Sequence, residues 1–381
     1  MITFLPGYQF QASLYLNWLN ENKTWQRYEN EKINIISGTP TSKWRYIFNN
    51  DINFKFRPTP GKILNRLVKL KRYNFLKKID DFILRIPHHQ YLDLSRIVYG
   101  NAGYSKSSFK YLRNKNSKAT LYLDRACSHI LSQEKIMKEE YQKFDLKYEK
   151  SNFEKKIHLD EYNYADKIIV PSLKTYESFV SHNISKEKLI IQPLFANLHI
   201  DQGLIKYDII KNHEDKVVVG FLGGSFIRKG LLYLLRAWNN LNSKDAILLI
   251  KSSKQNLVIT NEIKKILNQN NNVIFIENFI NEISDFYKTL DIFCMPSIEE
   301  GFGMALLEAY LYNCKIISSD AVGASEIISN RANVHLFENR NTEQLSEILK
   351  ILIDKGKKDK SVNNSLNLQS SREQYIKLFI Q

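Results

Sequence analysis

Two glutamates, Glu300 and Glu308, flank the turn Gly301-Phe302-Gly303 in the stretch SIEEGFGMALLEAYLYNCKIISSD. Carboxylates accept hydrogen bonds and carry charge, and glycine lets backbone approach a ligand closely. The run IFCMPS before the turn reads as a strand and GMALLEAYLY after it as a helix, so IEEGF is the loop at the strand's carboxyl end. In an open parallel sheet, ligands bind in that crevice. A helix beginning near Gly303 offers unpaired N–H groups and the positive end of its dipole to an anion such as phosphate. Glu308 lies one turn beyond Met304, and helical side chains tilt back toward the N-terminus, so its carboxylate leans toward the same mouth. Carboxylates on either side of an anion site suit a ligand with phosphates in its middle and hydroxyls at each end, the shape of a nucleotide sugar. The competing reading is a surface Glu300 and a Glu308 paired with a basic neighbour.

A scaffold must hold this loop. From about residue 215 onward, short apolar runs alternate with helical patterns: strands at 217–223, 246–252, 272–278, 292–297, 315–320 and 334–337, with helices at 229–241, near 260–268 and at 342–353. Such alternation implies a parallel sheet covered on both faces. The first half repeats the pattern less clearly, with strands expected at 1–6, 32–37, 82–86, 119–123, 167–170 and 188–192 and helices at 133–148 and 173–181. Section 41–78 fits no βα unit and reads as an insertion. The fold expected is α/β, with two doubly wound Rossmann-like domains facing a cleft. The first spans 1–200 and carries the acceptor side, the second spans 201–360 and carries the donor side, and a tail with a last helix fills 361–381.

Composition narrows the function classes. The 381 residues carry a formal net charge of +15, nearly all of it in the first two hundred. Section 43–78 alone has 11 basic residues against Asp51, interleaved with Trp44, Tyr46, Phe48, Phe54, Phe56, Tyr73 and Phe75. Its stretch KILNRLVKLKRYNFLKK can form a basic amphipathic surface, which points to an anionic membrane rather than to nucleic acid, for which no motif is present. Cys127, Cys294 and Cys314 have no disulfide or zinc spacing. A cytoplasmic protein at the inner face of the plasma membrane is expected.

The segment PSIEEGFGMALLEA resembles the signature of the retaining, nucleotide-sugar-dependent glycosyltransferases of GT-B fold in the large family 4 group. FLGGSFIRKGLLYLLRAW (221–238) and SSDAVGASEII (318–328) resemble further segments of that family, and DRACSHI (124–130) and EYNYADKIIVPS (161–172) do so more loosely. The resemblance implies that Lys229, with Arg228 beside it, neutralises a diphosphate. It implies that Glu308 binds ribose, that Glu300 binds sugar hydroxyls near the reacting carbon, and that backbone amides at Gly303 and Met304 hold the sugar or its phosphate. It places His129 on the acceptor side as a catalytic candidate, and Gly7 where the acceptor approaches. The family usually has an arginine five residues before the lysine, where this chain has Gly224; either Arg228 replaces it or phosphate binding is weaker.

Its implied activity is transfer of a sugar from a UDP- or GDP-sugar to a saccharide acceptor, lipid-linked, in lipopolysaccharide or capsule synthesis. No Asp-x-Asp triplet occurs in the chain, so no metal and no other cofactor are expected, with fixed positive charge holding the leaving diphosphate. A nucleotide-sugar epimerase of the same fold, or a non-catalytic membrane- or nucleic-acid-binding protein, remains the alternative.

Overall fold

The computed structural model describes residues 2–4, 33–37, 53–56, 92–148, 151–194, 213–252, 261–276 and 283–358. Gly7, the strand expected at 82–86, the linker at 196–212, the tail 361–381 and all of section 41–78 but one strand lie outside them.

Two parallel sheets form the chain. The first has seven strands: β1 (Ile2–Phe4), β2 (Ile33–Ser37), β3 (Asn53–Phe56), β4 (Ile97–Asn101), β5 (Thr120–Asp124), β6 (Lys167–Val170) and β7 (Leu189–Ile191). Their spatial order is β3-β2-β1-β4-β5-β6-β7. The second has six: β8 (Val217–Leu222), β9 (Ala246–Lys251), β10 (Val273–Ile276), β11 (Ile292–Met295), β12 (Lys315–Ser319) and β13 (Val334–Phe337), in the order β10-β9-β8-β11-β12-β13. Each order reverses direction once, at β1/β4 and at β8/β11, and such a switch point opens a crevice at the strands' carboxyl ends.

The second sheet shows why its strands read as continuous apolar runs. Side chains alternate between faces with a period of two. Val218, Ile247, Leu249, Phe293 and Met295 enter one core, shared with Leu306 and Leu307. Val217, Val219, Leu248, Ile250, Ile292 and Cys294 enter the other, shared with Leu234, Trp238 and Leu349. With both faces covered, each large apolar strand side chain gains about 1.5–3 kcal/mol by burial, and the buried polar Ser318 and Ser319 of β12 are hydrogen-bonded to backbone carbonyls.

The structure corrects three expectations in the first half. Asn53–Phe56 is a strand at the edge of the sheet, pairing in parallel with β2. That part of section 41–78 therefore belongs to the domain's sheet rather than to an insertion. Ile97–Asn101, which the sequence reading passed over, is a central strand between β1 and β5, with Val98 and Tyr99 fully buried. The helix expected at 133–148 runs Ile130–Gln142.

Candidate functional site

The site forms where β8 and β11 meet. β8 leads through Gly223 and Gly224 to Arg228 and Lys229, and helix α5 (Leu231–Leu241) follows Gly230. β11 leads to Glu299, Glu300 and Gly301, and helix α8 (Met304–Leu311) follows Gly303. The two loops are tied together, since the Ile298 N–H donates to the Arg228 carbonyl at 2.9 Å. Gly303 sits at φ 97°, a left-handed conformation that favours glycine, and turns the chain into α8. Met304 is the first residue of α8, half-buried against the core.

Arg228, Lys229 and Glu300, which the family resemblance places on one ligand, lie together and bind one another. Arg228 Nη1 donates to Glu300 Oε2 at 2.9 Å, and Lys229 Nζ donates to the same oxygen. Arg228 Nη1 also reaches the Glu299 carbonyl at 2.9 Å. The side chains of Arg228, Lys229 and Glu300 are 25%, 14% and 14% exposed. Burial pushes the Glu300 carboxyl up, but Arg228 and Lys229 outweigh it and hold the group below its ordinary range. The resemblance gave Glu300 to sugar hydroxyls and the two cations to a diphosphate; in this structure the three side chains are paired with one another. Arg228 is no plain surface residue. Its guanidinium lies against Glu299 and Glu300.

Glu308 lies in α8 in a different setting. Its carboxylate accepts from the Tyr287 hydroxyl at 2.6 Å and is half-buried. Burial raises its pKa, and the Tyr287 hydrogen bond offsets this only in part. No basic side chain pairs with it among the described residues.

The neighbouring loop after β12 completes the wall. Glu300 bridges Val322 in parallel fashion, the Gly323 N–H donates to the Glu300 carbonyl at 3.1 Å, and the Ala324 N–H donates to the Phe302 carbonyl at 2.6 Å.

The first domain closes on this loop. A Cβ at Gly301 would lie 2.0 Å from the Ala126 carbonyl oxygen, so only glycine fits there. The Gly301 carbonyl accepts from Ser172 Oγ at 2.7 Å and Thr175 Oγ1 at 3.2 Å. Glu326 accepts from the Leu173 and Lys174 N–H groups at 2.9 and 3.0 Å, capping helix α4 (Leu173–Val180) from across the cleft.

His129 is not in the cleft wall. It is 2% exposed, and its Nδ1 accepts from the Leu131 N–H at 3.3 Å, capping helix α2 (Ile130–Gln142). Its ring stacks on His182 at 4.2 Å and meets Phe179 edge-on at 5.0 Å. Burial, with His182 and Arg125 nearby, lowers its pKa to about 3, so the ring is neutral. The structure places the histidine expected on the acceptor side as a buried helix cap.

Sequence reasoning passed over Glu299. It is 3% exposed and reaches into the first domain, accepting from the Ser128 N–H at 3.1 Å and from Gln133 Nε2 at 3.0 Å. The only available signal was a second acid beside Glu300, since adjacent side chains of an extended loop face opposite ways.

Residues 206–366 match the family model of glycosyl transferases group 1. The chain is similar to the capsular polysaccharide biosynthesis glycosyltransferase CapM of Staphylococcus aureus, at 26% identity over half of this chain and 53% of that protein. It is 34% identical over 73 residues, 19% of each chain, to the N,N'-diacetylbacillosaminyl-diphospho-undecaprenol alpha-1,3-N-acetylgalactosaminyltransferase of Campylobacter jejuni. The match spans about half the length, or less, of these curated relatives. Among solved structures, Anabaena HepE in complex with UDP aligns with a TM-score of 0.60 at 14% identity, covering 93% of this chain and 90% of that one. That likeness establishes the fold: two Rossmann-like domains in the GT-B arrangement.

Proposed function

We propose that this chain, whose residues 206–366 belong to the glycosyl transferases group 1 family, is a glycosyltransferase that takes a sugar from a UDP- or GDP-sugar. The observation that carries this reading is the pair Arg228 and Lys229, gathered on Glu300 at the carboxyl ends of β8 and β11, beside the start of α8. Those cations and the helix N-terminus would hold the diphosphate and stabilise its charge as it leaves. Glu308 would accept hydrogen bonds from ribose hydroxyls. Glu300, displaced from the cations by the diphosphate, would turn to the hydroxyls of the transferred sugar. Transfer with retention at the anomeric carbon and without a metal fits the family resemblance and the sequence's lack of Asp-x-Asp.

The acceptor is a saccharide of a surface polysaccharide, carried on a lipid. Two observations support this: CapM's part in capsular polysaccharide biosynthesis, and the diphospho-undecaprenol acceptor named for the Campylobacter enzyme. Among the described residues no helix is long and apolar enough to cross a membrane. The basic aromatic section 43–78 would instead meet the anionic inner face of the plasma membrane from the cytoplasm, with each Lys or Arg near the surface contributing about 1 kcal/mol.

The test is a panel of UDP-, GDP- and other nucleotide sugars with the purified protein, read as release of nucleoside diphosphate in excess EDTA. Turnover of one donor is expected. Conversion of a nucleotide sugar to its epimer, with no diphosphate released, would favour the epimerase reading. Turnover only on adding Mg²⁺ or Mn²⁺ would contradict the metal-free step.

A further inference from the structure

We infer that Glu299 is a positioning residue, which holds Glu300 and Arg228 in their reactive places only while the first domain is seated against the second. The inference rests on the glycosyltransferase reading above and adds a residue which that reading does not use.

Loop 298–301 is held from two sides in alternation. The Glu299 side chain accepts from Ser128 N–H and Gln133 Nε2 of the first domain. The Glu300 side chain accepts from Arg228 and Lys229 of the second. The Gly301 carbonyl returns to the first domain, through Ser172 and Thr175. Arg228 joins the two sets, because one nitrogen, Nη1, donates to the Glu299 carbonyl and to the Glu300 carboxylate, each at 2.9 Å. It also lies 3.8 Å from Glu299 Oε2. A shift of the loop by one hydrogen-bond length therefore moves the acid and its guanidinium together.

Glu299 is also the group that pays for domain separation. At 3% exposure its carboxylate depends on the Ser128 and Gln133 donors for most of its hydrogen bonding. If the first domain tilts away, those donors leave, and the Glu299 carboxylate beside Arg228 becomes free to draw the guanidinium from Glu300. Seating of the acceptor-side domain and alignment of the donor-side charges are then one event. A lock of this kind favours reaction in the closed state and discourages loss of the sugar to water in the open one.

Two single variants cut the link from opposite ends: Glu299→Ala in the second domain, and Gln133→Ala in the first. The readout uses the donor identified by the panel, as kcat for release of nucleoside diphosphate, beside calorimetric Kd for that diphosphate and the thermal midpoint. Gln133→Ala, which removes one hydrogen bond to the Glu299 carboxylate, is expected to lower kcat about tenfold, and Glu299→Ala, which removes both, at least that much, with Kd changed less than about twofold. The double variant should be no slower than the slower single, because both remove the same contact. Glu299→Gln, which keeps an acceptor for Ser128 N–H but presents an NH2 donor to Gln133, should recover part of the rate lost in Glu299→Ala. An unchanged kcat in both singles overturns the inference. So do additive losses in the double variant, or a Kd weakened as much as kcat falls. Should Glu299→Ala fail to fold, Gln133→Ala and Glu299→Gln carry the test. A wild-type protein that turns over no nucleotide sugar overturns the glycosyltransferase reading itself, and this inference with it.

Discussion

The loop before α8 and the body of α8 each present one glutamate to the same mouth, and their surroundings drive them apart. Glu300 is gripped by two cations and its pKa falls. Glu308 has only the Tyr287 hydroxyl, and burial raises its pKa. Identical side chains with pKa values shifted in opposite directions are suited to different roles.

The largest effect expected from breaking this contrast is at Glu300. Glu300→Gln should cut turnover at least about a hundredfold, as for loss of a group that stabilises the transition state, while nucleoside diphosphate binds as well as before or more tightly. Tighter binding follows because the diphosphate no longer competes with a carboxylate for Arg228 and Lys229. Steady-state kinetics beside calorimetry checks both halves; a weakened diphosphate would show that Glu300 supports the anion site instead of competing for it.

A smaller effect is expected at Glu308. Glu308→Ala should weaken nucleoside diphosphate binding by about 1.5–3 kcal/mol, the range for hydrogen bonds to a charged group, and leave inorganic pyrophosphate binding unchanged. Equal losses for both ligands would place Glu308 on the phosphates rather than on ribose.

The smallest effect is on stability against pH, and the two glutamates carry opposite signs. Glu308, with its folded pKa raised, contributes stability that is present below its unfolded pKa and lost as pH rises through the folded one. Glu300, with its folded pKa lowered, contributes stability that is present above its unfolded pKa and lost as pH falls through the folded one. On acidification from neutrality Glu308 therefore takes its proton first. Denaturant midpoints measured down that range should rise slightly through the Glu308 step and then fall. Glu308→Gln should remove the rise, and Glu300→Gln should blunt the fall.

The scaffold of this contrast was legible because the second sheet is covered on both faces. Val217, Val218 and Val219 are all buried, so the strand announces itself as an unbroken apolar run, and the loop after β11 falls into place. β4 was obscured by Gly100, Asn101 and Gly103, which read as a turn although Ile97, Val98 and Tyr99 are core. β3 was obscured by the charges around it, which an edge strand tolerates. At the site, motif spacing brought out Glu300 and Glu308, and the family resemblance added Arg228 and Lys229. Neither could tell that Arg228, Lys229 and Glu300 would bind one another, because ion pairing depends on which loops meet. Nor could spacing separate His129 as a helix cap from a cleft histidine, since both follow a strand.

The most direct measurement of the central claim is calorimetric titration of UDP and GDP into the wild-type protein and into Lys229→Ala. The account predicts that one of the two binds the wild type, and that Lys229→Ala binds it about 1.5–3 kcal/mol more weakly, through loss of a charge-assisted contact to phosphate. Equal affinity in the two proteins would contradict the assignment of Arg228, Lys229 and Glu300 as a nucleotide-sugar site.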